Sequence, residues 1–179
     1  MPRNIPKPKF VETLTDEQWK LSTLKERAVH VARSQDAVRE FPKGSNWGPM
    51  VELYLKAAGV FSPAYWCAAF TTWCLLTAGA DRKKLPKLAA STYYWWDWAK
   101  KNGRLETEPR RGFLGVQNDK EGGHIWFCLD EADPHKSIEG NTNVAGARNG
   151  IGVFDRTRSK ASMRSHVRHG FIAIDDSLF

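Results

Sequence analysis

The sequence has no long apolar run, few cysteines and no linker, and each absence narrows what the chain can be. No stretch approaches the roughly 18 consecutive apolar residues of a membrane-spanning helix, so no membrane span is predicted. The segment from Met1 to Val11 contains three prolines and no apolar run, so we expect no secretory signal there. Three cysteines cannot form a closed set of disulfides, so the fold does not depend on bridges and a free thiol remains.

The chain also lacks a Gly/Ser-rich or Pro-rich segment that would divide its 179 residues. We therefore expect an extended N-terminal arm over residues 1–14 and a single domain over residues 15–179, acting as a monomer. Acidic residues are outnumbered by basic ones, which gives a net charge of +7. This charge predicts an anionic partner, but it does not choose among nucleic acid, anionic lipid and an acidic cell-wall polymer.

The N-terminal half has the spacing and the end signals of helices. Thr15 followed by Gln18 is a capping box, and apolar positions then recur at helical spacing to about Arg39, with a possible break at Ser22-Thr23. Proline at a first helical position and glycine after a last one are typical helix boundaries. By these signals three more helices are predicted, from Gly48-Pro49 to Gly59, from Trp66 to Ala78, and from Ser91 to Asn102-Gly103.

After Gly103 the pattern changes to short apolar runs separated by glycine, which is typical of strands. The connections are too short for crossover helices, so the sheet should be antiparallel. The predicted class is α+β, with N-terminal helices packed on a C-terminal antiparallel sheet. The predicted strands are Gly112–Val116, His124–Leu129, Lys136–Glu139, Gly152–Phe154 and His169–Ile174.

Cys67 is the candidate nucleophile. It stands at the start of the third predicted helix, where unpaired NH groups and the positive end of the helix dipole favour a thiolate. Free cysteine is also among the most often buried residue types, and Cys74 on the same helix is read that way. Local context alone therefore leaves Cys67 open between the two interpretations.

A thiolate that attacks an amide needs a general base and acid, and histidine serves as both near neutral pH. Of the five histidines, His124 opens a strand after two glycines and is the preferred candidate, while His169 has a similar setting and is its rival. We interpret the other three as structural or solvated: His30 in a helix, and His135 and His166 in polar turns.

The imidazole in turn needs an acceptor that fixes its orientation. Glu139 and Asn141 end the strand that follows the His124 strand, and hairpin geometry would bring that end close to His124. Either residue could fill this role, or Glu139 could be a solvated carboxylate and Gly140-Asn141 an ordinary turn.

The same chain could also serve two other classes of function. A zinc site from His124, Cys128 and His135 is disfavoured, because His124 and Cys128 lie roughly 13 Å apart along a strand. The alternative function is nucleic-acid binding without hydrolysis, through the basic segment 156–169 and exposed tryptophans. That alternative explains the charge but gives no role to the cysteine, the histidine and the Glu-Gly-Asn run.

Three motifs occur in a family's order along the chain. Trp66-Cys67-Ala68-Ala69-Phe70, then Gly123-His124, then Ile138-Glu139-Gly140-Asn141-Thr142 resemble the CHAP family of cysteine, histidine-dependent amidohydrolases/peptidases, within the NlpC-like papain superfamily. The resemblance covers roughly residues 28 to 173. It implies a papain-like fold and an endolysin-like enzyme that hydrolyses an amide bond of peptidoglycan through a thioester.

The resemblance also implies roles for individual residues. Cys67 would be the nucleophile, His124 the general base and acid, Glu139 the orienting residue and Asn141 an auxiliary fourth member. The Cys67 NH would form part of the oxyanion hole, with Tyr54 and Tyr65 as candidates for its second donor. The candidate substrate-binding residues are Trp66, Tyr65, Tyr54 and Trp126.

No cofactor or metal is expected, because Gly59 to Trp66 carries no acidic residue where some relatives have a calcium loop. The implied partners are peptidoglycan and, through the positive charge, anionic envelope polymers, with no nucleic acid. The protein would be made in the cytoplasm and would act on the cell wall after export by a holin or a secretion system.

Overall fold

The computed structural model of the protein describes residues 5–145 and 149–179, and its helices precede its sheet along the chain. The helices within these residues are α1 (Asp16–Leu21), α2 (Leu24–Arg33), α3 (Pro49–Ala57), α4 (Cys67–Ala78), α5 (Thr92–Lys101) and the short α6 (Lys160–Met163). The strands are β1 (Leu105–Glu106), β2 (Leu114–Asp119), β3 (Gly122–Cys128), β4 (His135–Thr142), β5 (Gly152–Arg158) and β6 (Arg168–Ile172). Single 3₁₀ turns lie at Arg82–Lys84 and Asp176–Leu178.

The six strands of the described chain form one antiparallel sheet in the order β1-β6-β2-β3-β4-β5. The predicted α+β class with an antiparallel sheet is thereby confirmed. Strand β1 was not predicted, because two residues are too few to carry an alternating pattern. No helix in the described ranges is both long and apolar enough to cross a lipid bilayer.

The predicted helix boundaries are mostly confirmed, because local caps determine them. Thr15 and Gln18 form the capping box, and the chain breaks at Ser22-Thr23, where Thr23 caps α2. Pro49 starts α3, and α4 ends at Gly79 in the left-handed conformation.

The predicted continuation of the first helix, past its break, to about Arg39 is wrong, since α2 ends at Arg33. Residues 38–40 instead run beside the start of β5, where the Val153 NH donates to the Val38 carbonyl at 3.0 Å. The Glu40 NH donates to the Ile151 carbonyl at 2.8 Å. In this segment, hydrogen bonds to a distant strand replace those of a helix. The local spacing of apolar residues cannot predict such a pairing.

The two faces of the sheet carry different clusters. Directly opposed residues of antiparallel neighbours share a face, and the register opposes Phe127 to Ile138. Both belong to the main core with the helices, whereas Trp126 and Cys128 belong to a second cluster with Met163 of α6. By alternation His124 and Glu139 point toward the face of Trp126.

Strands β3 and β4 are joined by a ladder of only two residue pairs, Phe127–Ile138 and Cys128–Ser137. Beyond this ladder α4 packs closely on Gly140: a Cβ there would lie 2.7 Å from Cβ of Phe70 and 2.8 Å from the Trp66 ring. Only glycine allows this approach. Gly140 is thus a packing position inside β4 rather than part of a turn, and it seats the start of α4 beside the strand that carries Glu139.

The N-terminal arm contains no helix or strand in its described part, residues 5–14, but it packs on the helices. The Trp19 indole donates to the Ile5 carbonyl at 2.9 Å, and the Phe10 ring stacks on Trp73 with centroids 5.8 Å apart. Val11 is fully buried. Residues 5–14 therefore add contacts to α1 and to α4, the helix that carries the cysteine.

Candidate active site

Cys67 is the first residue of α4, which settles how the nucleophile candidate lies relative to the helix end. Trp66 is the N-cap and provides no side-chain cap, and the first helical hydrogen bond runs from the Phe70 NH to the Trp66 carbonyl at 2.8 Å. The NH groups of the first turn are therefore directed away from the helix at its positive end. They lie where they would stabilise negative charge on the sulfur or on a neighbouring oxygen.

His124 and Glu139 form a buried pair. The Nε2 of His124 lies 2.8 Å from the Oε2 of Glu139, and both side chains are inaccessible to solvent. The other ring nitrogen, Nδ1, is buried and has no hydrogen-bond partner of normal geometry among the described residues. The Cys67 thiol interacts with the same ring, so Nδ1 is the nitrogen left to exchange a proton with it.

The site holds opposite charges in a buried environment. Burial alone would lower the pKa of His124, but the interactions with Cys67 and Glu139 outweigh it and raise this pKa to about 9. Burial alone would raise the pKa of Glu139, but Arg158 and His124 lower it to about 2. A protonated imidazole beside an ionised carboxylate is therefore the favoured state at neutral pH.

Arg158 and Ser137 complete the surroundings of Glu139, and neither was predicted from the sequence to belong to the site. Arg158 donates from Nε to Oε1 of Glu139 at 2.8 Å and from Nη2 to Oε2 at 2.5 Å. The Ser137 hydroxyl donates to Oε1 at 2.6 Å. Alternation along antiparallel neighbours could have placed Arg158 and Glu139 on one face, but not in contact.

Asn141 has a different role from the auxiliary catalytic one that was predicted. Its Oδ1 accepts from the Trp66 NH at 3.1 Å, and its Nδ2 donates to Asn46 Oδ1 and the Gly150 carbonyl at 3.1 and 3.0 Å. A longer contact of 3.5 Å reaches Glu40. None of these bonds goes to the cysteine or the histidine. Asn141 therefore anchors the residue before the helix instead of touching the reacting groups.

Two predicted substrate-binding residues, Tyr54 and Trp66, are fully buried. The Tyr54 hydroxyl donates to Gln35 Oε1 at 2.8 Å, and the Trp66 indole donates to Glu40 Oε1 at 2.8 Å. The prediction is wrong for both, because neither ring is accessible to a polymer. The role of oxyanion donor proposed for Tyr54 is excluded for the same reason. Both rings instead support the start of α4.

The predicted contact of Trp126 with substrate is also wrong, because this residue is buried in the second cluster. Its ring stacks on His124 and on His135, with centroids 6.0 and 6.2 Å apart, and its indole donates to His135 Nε2 at 3.0 Å. His135 was interpreted as solvated, but it is buried at the start of β4, and burial lowers its pKa.

These rings do not form the zinc site that was considered from the sequence. Among residues 5–145 and 149–179, no three histidine, cysteine or acidic side chains converge in a way that could hold a metal ion. The buried Trp126 ring instead stacks between the His124 and His135 rings. Trp126 is therefore a support of the site.

Tyr65 alone of the four predicted substrate contacts is exposed, with 64% of its surface accessible. It lines a cavity of about 110 Å³ together with Cys67 and the glycines before His124. The other two lining residues are Glu121 and Asn149. Cys67 itself is 5% exposed, so a substrate in this cavity can reach the sulfur.

The rival base, His169, lies away from this cavity. It is exposed on β6, and its Nδ1 donates to the His166 carbonyl at 2.8 Å. The register opposes His169 to Gln117 and Gln117 to His124, so His169 is two strands from His124, or roughly 10 Å. The structure therefore favours His124 over His169 as the partner of Cys67.

The chain was compared with known proteins. No protein-family model, curated protein or solved structure matches it. What the chain does must therefore be inferred from the site itself and from the resemblance of its motifs.

Replacing Glu139 with glutamine is expected to move the alkaline limb of kcat/KM toward neutral pH. The wild-type limb should lie near pH 9, where His124 loses the proton that a departing amine needs. Glutamine removes the negative charge that holds this proton, so the pKa of His124 falls. We expect kcat to drop by about 10²-fold or more, because the ring also loses its orienting partner. The measurement is kcat/KM between pH 5 and about 10.

Folding stability must be followed over the same pH range. His124 keeps its proton in the folded state from its ordinary pKa of 6.5 up to about 9, so the stability it contributes is complete below 6.5 and is lost as pH rises through 9. Circular dichroism at each pH therefore separates unfolding from loss of the catalytic proton. An unchanged alkaline limb in a folded Glu139→Gln variant would contradict the assignment.

Proposed function

We propose that the chain is a cysteine hydrolase that cleaves an amide bond of peptidoglycan through a thioester on Cys67. The observation that carries the proposal is the convergence of Cys67, His124 and Glu139 beside an open cavity. A nucleophile, a base within reach of it and a group that orients the base are the parts that such chemistry needs. The order of the three residues and the motifs around them support a CHAP-like, papain-like relationship.

In this mechanism the Cys67 sulfur attacks the carbonyl carbon, and the carbonyl oxygen becomes an oxyanion. The NH of Cys67 at the end of α4 is the first candidate donor to that oxyanion. His124 then gives its proton to the amide nitrogen, the C–N bond breaks, and the amine leaves a thioester on Cys67. His124 next takes a proton from water, the hydroxide adds to the thioester, and the carboxylate product leaves as the sulfur is restored.

Peptidoglycan is proposed as the substrate on two grounds. The motifs resemble a family that acts on it, and the net charge of +7 suits an anionic envelope. The nucleic-acid alternative is less favoured, because several cations of its basic segment have partners within the protein. Arg158 bonds Glu139, Lys160 pairs with Glu108, and Arg168 stacks on a tyrosine.

The test is incubation of the purified protein with purified peptidoglycan, followed by mass spectrometry of the soluble fragments. We expect fragments with one new amine and one new carboxyl terminus, and their masses identify the bond. A preparation treated with iodoacetamide is the control and should release none. If the untreated protein releases no fragments but binds DNA or RNA tightly with a steep salt dependence, the proposed function is wrong.

A further inference from the structure

We propose that Arg158 is a positioning residue of this site, which holds the Glu139 carboxylate in the orientation that aligns His124. The inference rests on the proposed function, since alignment of His124 matters only if Cys67 and His124 react. Arg158 is the last residue of β5, so it reaches the pair from a third strand. It belongs to the basic segment that charge alone would assign to an anionic partner.

The geometry of the contact is a two-point clamp. Nε and Nη2 of Arg158 bond different oxygens of Glu139, at 2.8 and 2.5 Å. A planar guanidinium that bonds both oxygens fixes the plane of the carboxylate, which a single point charge cannot do. The Ser137 hydroxyl adds a bond to Oε1, while Oε2 also takes the bond from His124. The clamp therefore holds the Glu139 carboxylate in one orientation, and the hydrogen bond to this carboxylate orients the His124 ring.

The clamp also balances charge in a place that water does not reach. Glu139 is fully buried, and an unpaired buried carboxylate tends to take up a proton. The groups that face it or feel its charge are His124 and Cys128 on β3, His135 on β4 and Arg158 on β5. Arg158 supplies the one permanent positive charge among them, so it keeps Glu139 ionised when His124 is neutral.

Arg158 supports the imidazole by a second route. Its guanidinium lies over the Trp126 ring, 5.2 Å from the centroid, and that ring stacks on His124. The arginine thus covers both neighbours of the imidazole, the carboxylate at Nε2 and the indole at its face. A residue with these two contacts sets the position of His124 without touching the substrate.

The first experiment compares Arg158→Met with Arg158→Lys. In Arg158→Met, Glu139 loses two bonds and its pKa rises, so the acidic limb of kcat/KM should move to higher pH. We expect kcat to fall by about 10- to 100-fold, since a shift of about 1 Å in a positioned group costs up to that much. Arg158→Lys keeps the charge without the fork, so it should restore the acidic limb but only part of kcat. If Arg158→Met does not fold, the lysine variant alone tests the fork.

The second experiment asks whether Arg158 acts through Glu139. Adding Arg158→Met to Glu139→Gln should cause a much smaller further loss of kcat than Arg158→Met causes in the wild type, because only the contact of Arg158 with Trp126 is then left to lose. Arg33→Met is the matched control: it also removes one positive charge, from an exposed pair with Asp155 at 3.6 Å. Arg33→Met should leave the acidic and the alkaline limb of kcat/KM at the same pH as in the wild type.

A readout that needs no peptidoglycan keeps this inference separate from the proposed function. The rate at which iodoacetamide alkylates Cys67 reports the thiolate beside a charged His124. Cys67 lines the cavity, whereas Cys74 and Cys128 are fully buried, so a single adduct is expected. The rate constant of alkylation at neutral pH should fall in Arg158→Met and stay unchanged in Arg33→Met. An unchanged alkylation rate in Arg158→Met, or fully multiplied losses in the double variant, would overturn the inference even if the wild type cleaves cell wall.

Discussion

Replacing Cys67 with alanine is expected to reduce release of peptidoglycan fragments to the background level, a loss of at least about 10³-fold. The change removes the sulfur atom that would form the thioester. No neighbouring side chain in the described cavity can replace it, because the other lining residues are Tyr65, Glu121, two glycines and Asn149. The measurement is the initial rate of fragment release at matched protein concentration.

The folded state should survive this change. Cys67 is the first residue of α4, where alanine is a good helix former, and the Trp66–Asn141 bond that anchors the helix start does not involve the sulfur. We expect the circular dichroism spectrum to be unchanged. Retained hydrolysis by the folded variant would exclude the thioester mechanism.

The other two cysteines provide the controls. Burial raises the pKa of Cys74 and of Cys128, so both remain thiols at neutral pH and neither meets the cavity. Cys74→Ala and Cys128→Ala should each cost about 1–2 kcal/mol of stability, because each leaves a small void, and should keep most of the activity. Loss of activity without loss of stability in either would reassign the nucleophile.

Much of the helical half was predictable because its boundaries are local. The capping box at Thr15 and Gln18, the proline at 49 and the glycine at 79 each act within one turn of chain. The start of α4 was predicted at about Trp66, one residue before the observed first residue, Cys67, because no capping side chain marks the boundary. The NH of Trp66 is satisfied by Asn141, 75 positions further along.

Apart from β1, the number of strands and their antiparallel direction were predicted. Which segments pair with each other was harder to predict. Residues 38–40 carry a helical apolar pattern and nevertheless lie beside the start of β5. The energy that decides between the two states comes from a segment more than 100 residues away. A pattern of apolar spacing contains no information about that segment.

In the site too, features set by neighbouring residues were predictable and features set by distant residues were not. Cys67, His124 and Glu139 lie at element ends or in short motifs, and the structure brings them together as the sequence predicted. The burial of the Tyr54 and Trp126 rings could not be predicted from the sequence. An aromatic residue close to a catalytic motif can face either the solvent or the core, and its identity alone does not decide which. Arg158 was missed because its charge suggested a partner outside the protein.

Replacing His124 with alanine should lower kcat/KM by about 10³-fold or more, whereas His169→Ala should change it by less than about threefold. Cys67 and Glu139 raise the pKa of His124, and its Nε2 is held by Glu139 at 2.8 Å. His169 is exposed two strands away and bonds a backbone carbonyl. The measurement is kcat/KM for both variants at neutral pH.

The His124 variant should remain folded, since Glu139 keeps its bonds to Arg158 and Ser137 and no charge is left without a partner. The alanine leaves a void between Cys67 and Glu139 that is close to the size of the lost ring. Added imidazole should therefore restore part of the activity of His124→Ala, and none of that of Cys67→Ala. Rescue distinguishes a missing base from a displaced helix, because a small molecule can supply the proton transfer but cannot reposition α4. If His169→Ala is the more damaging variant, or if imidazole has no effect while His124→Ala keeps its fold, the base assigned to Cys67 is wrong.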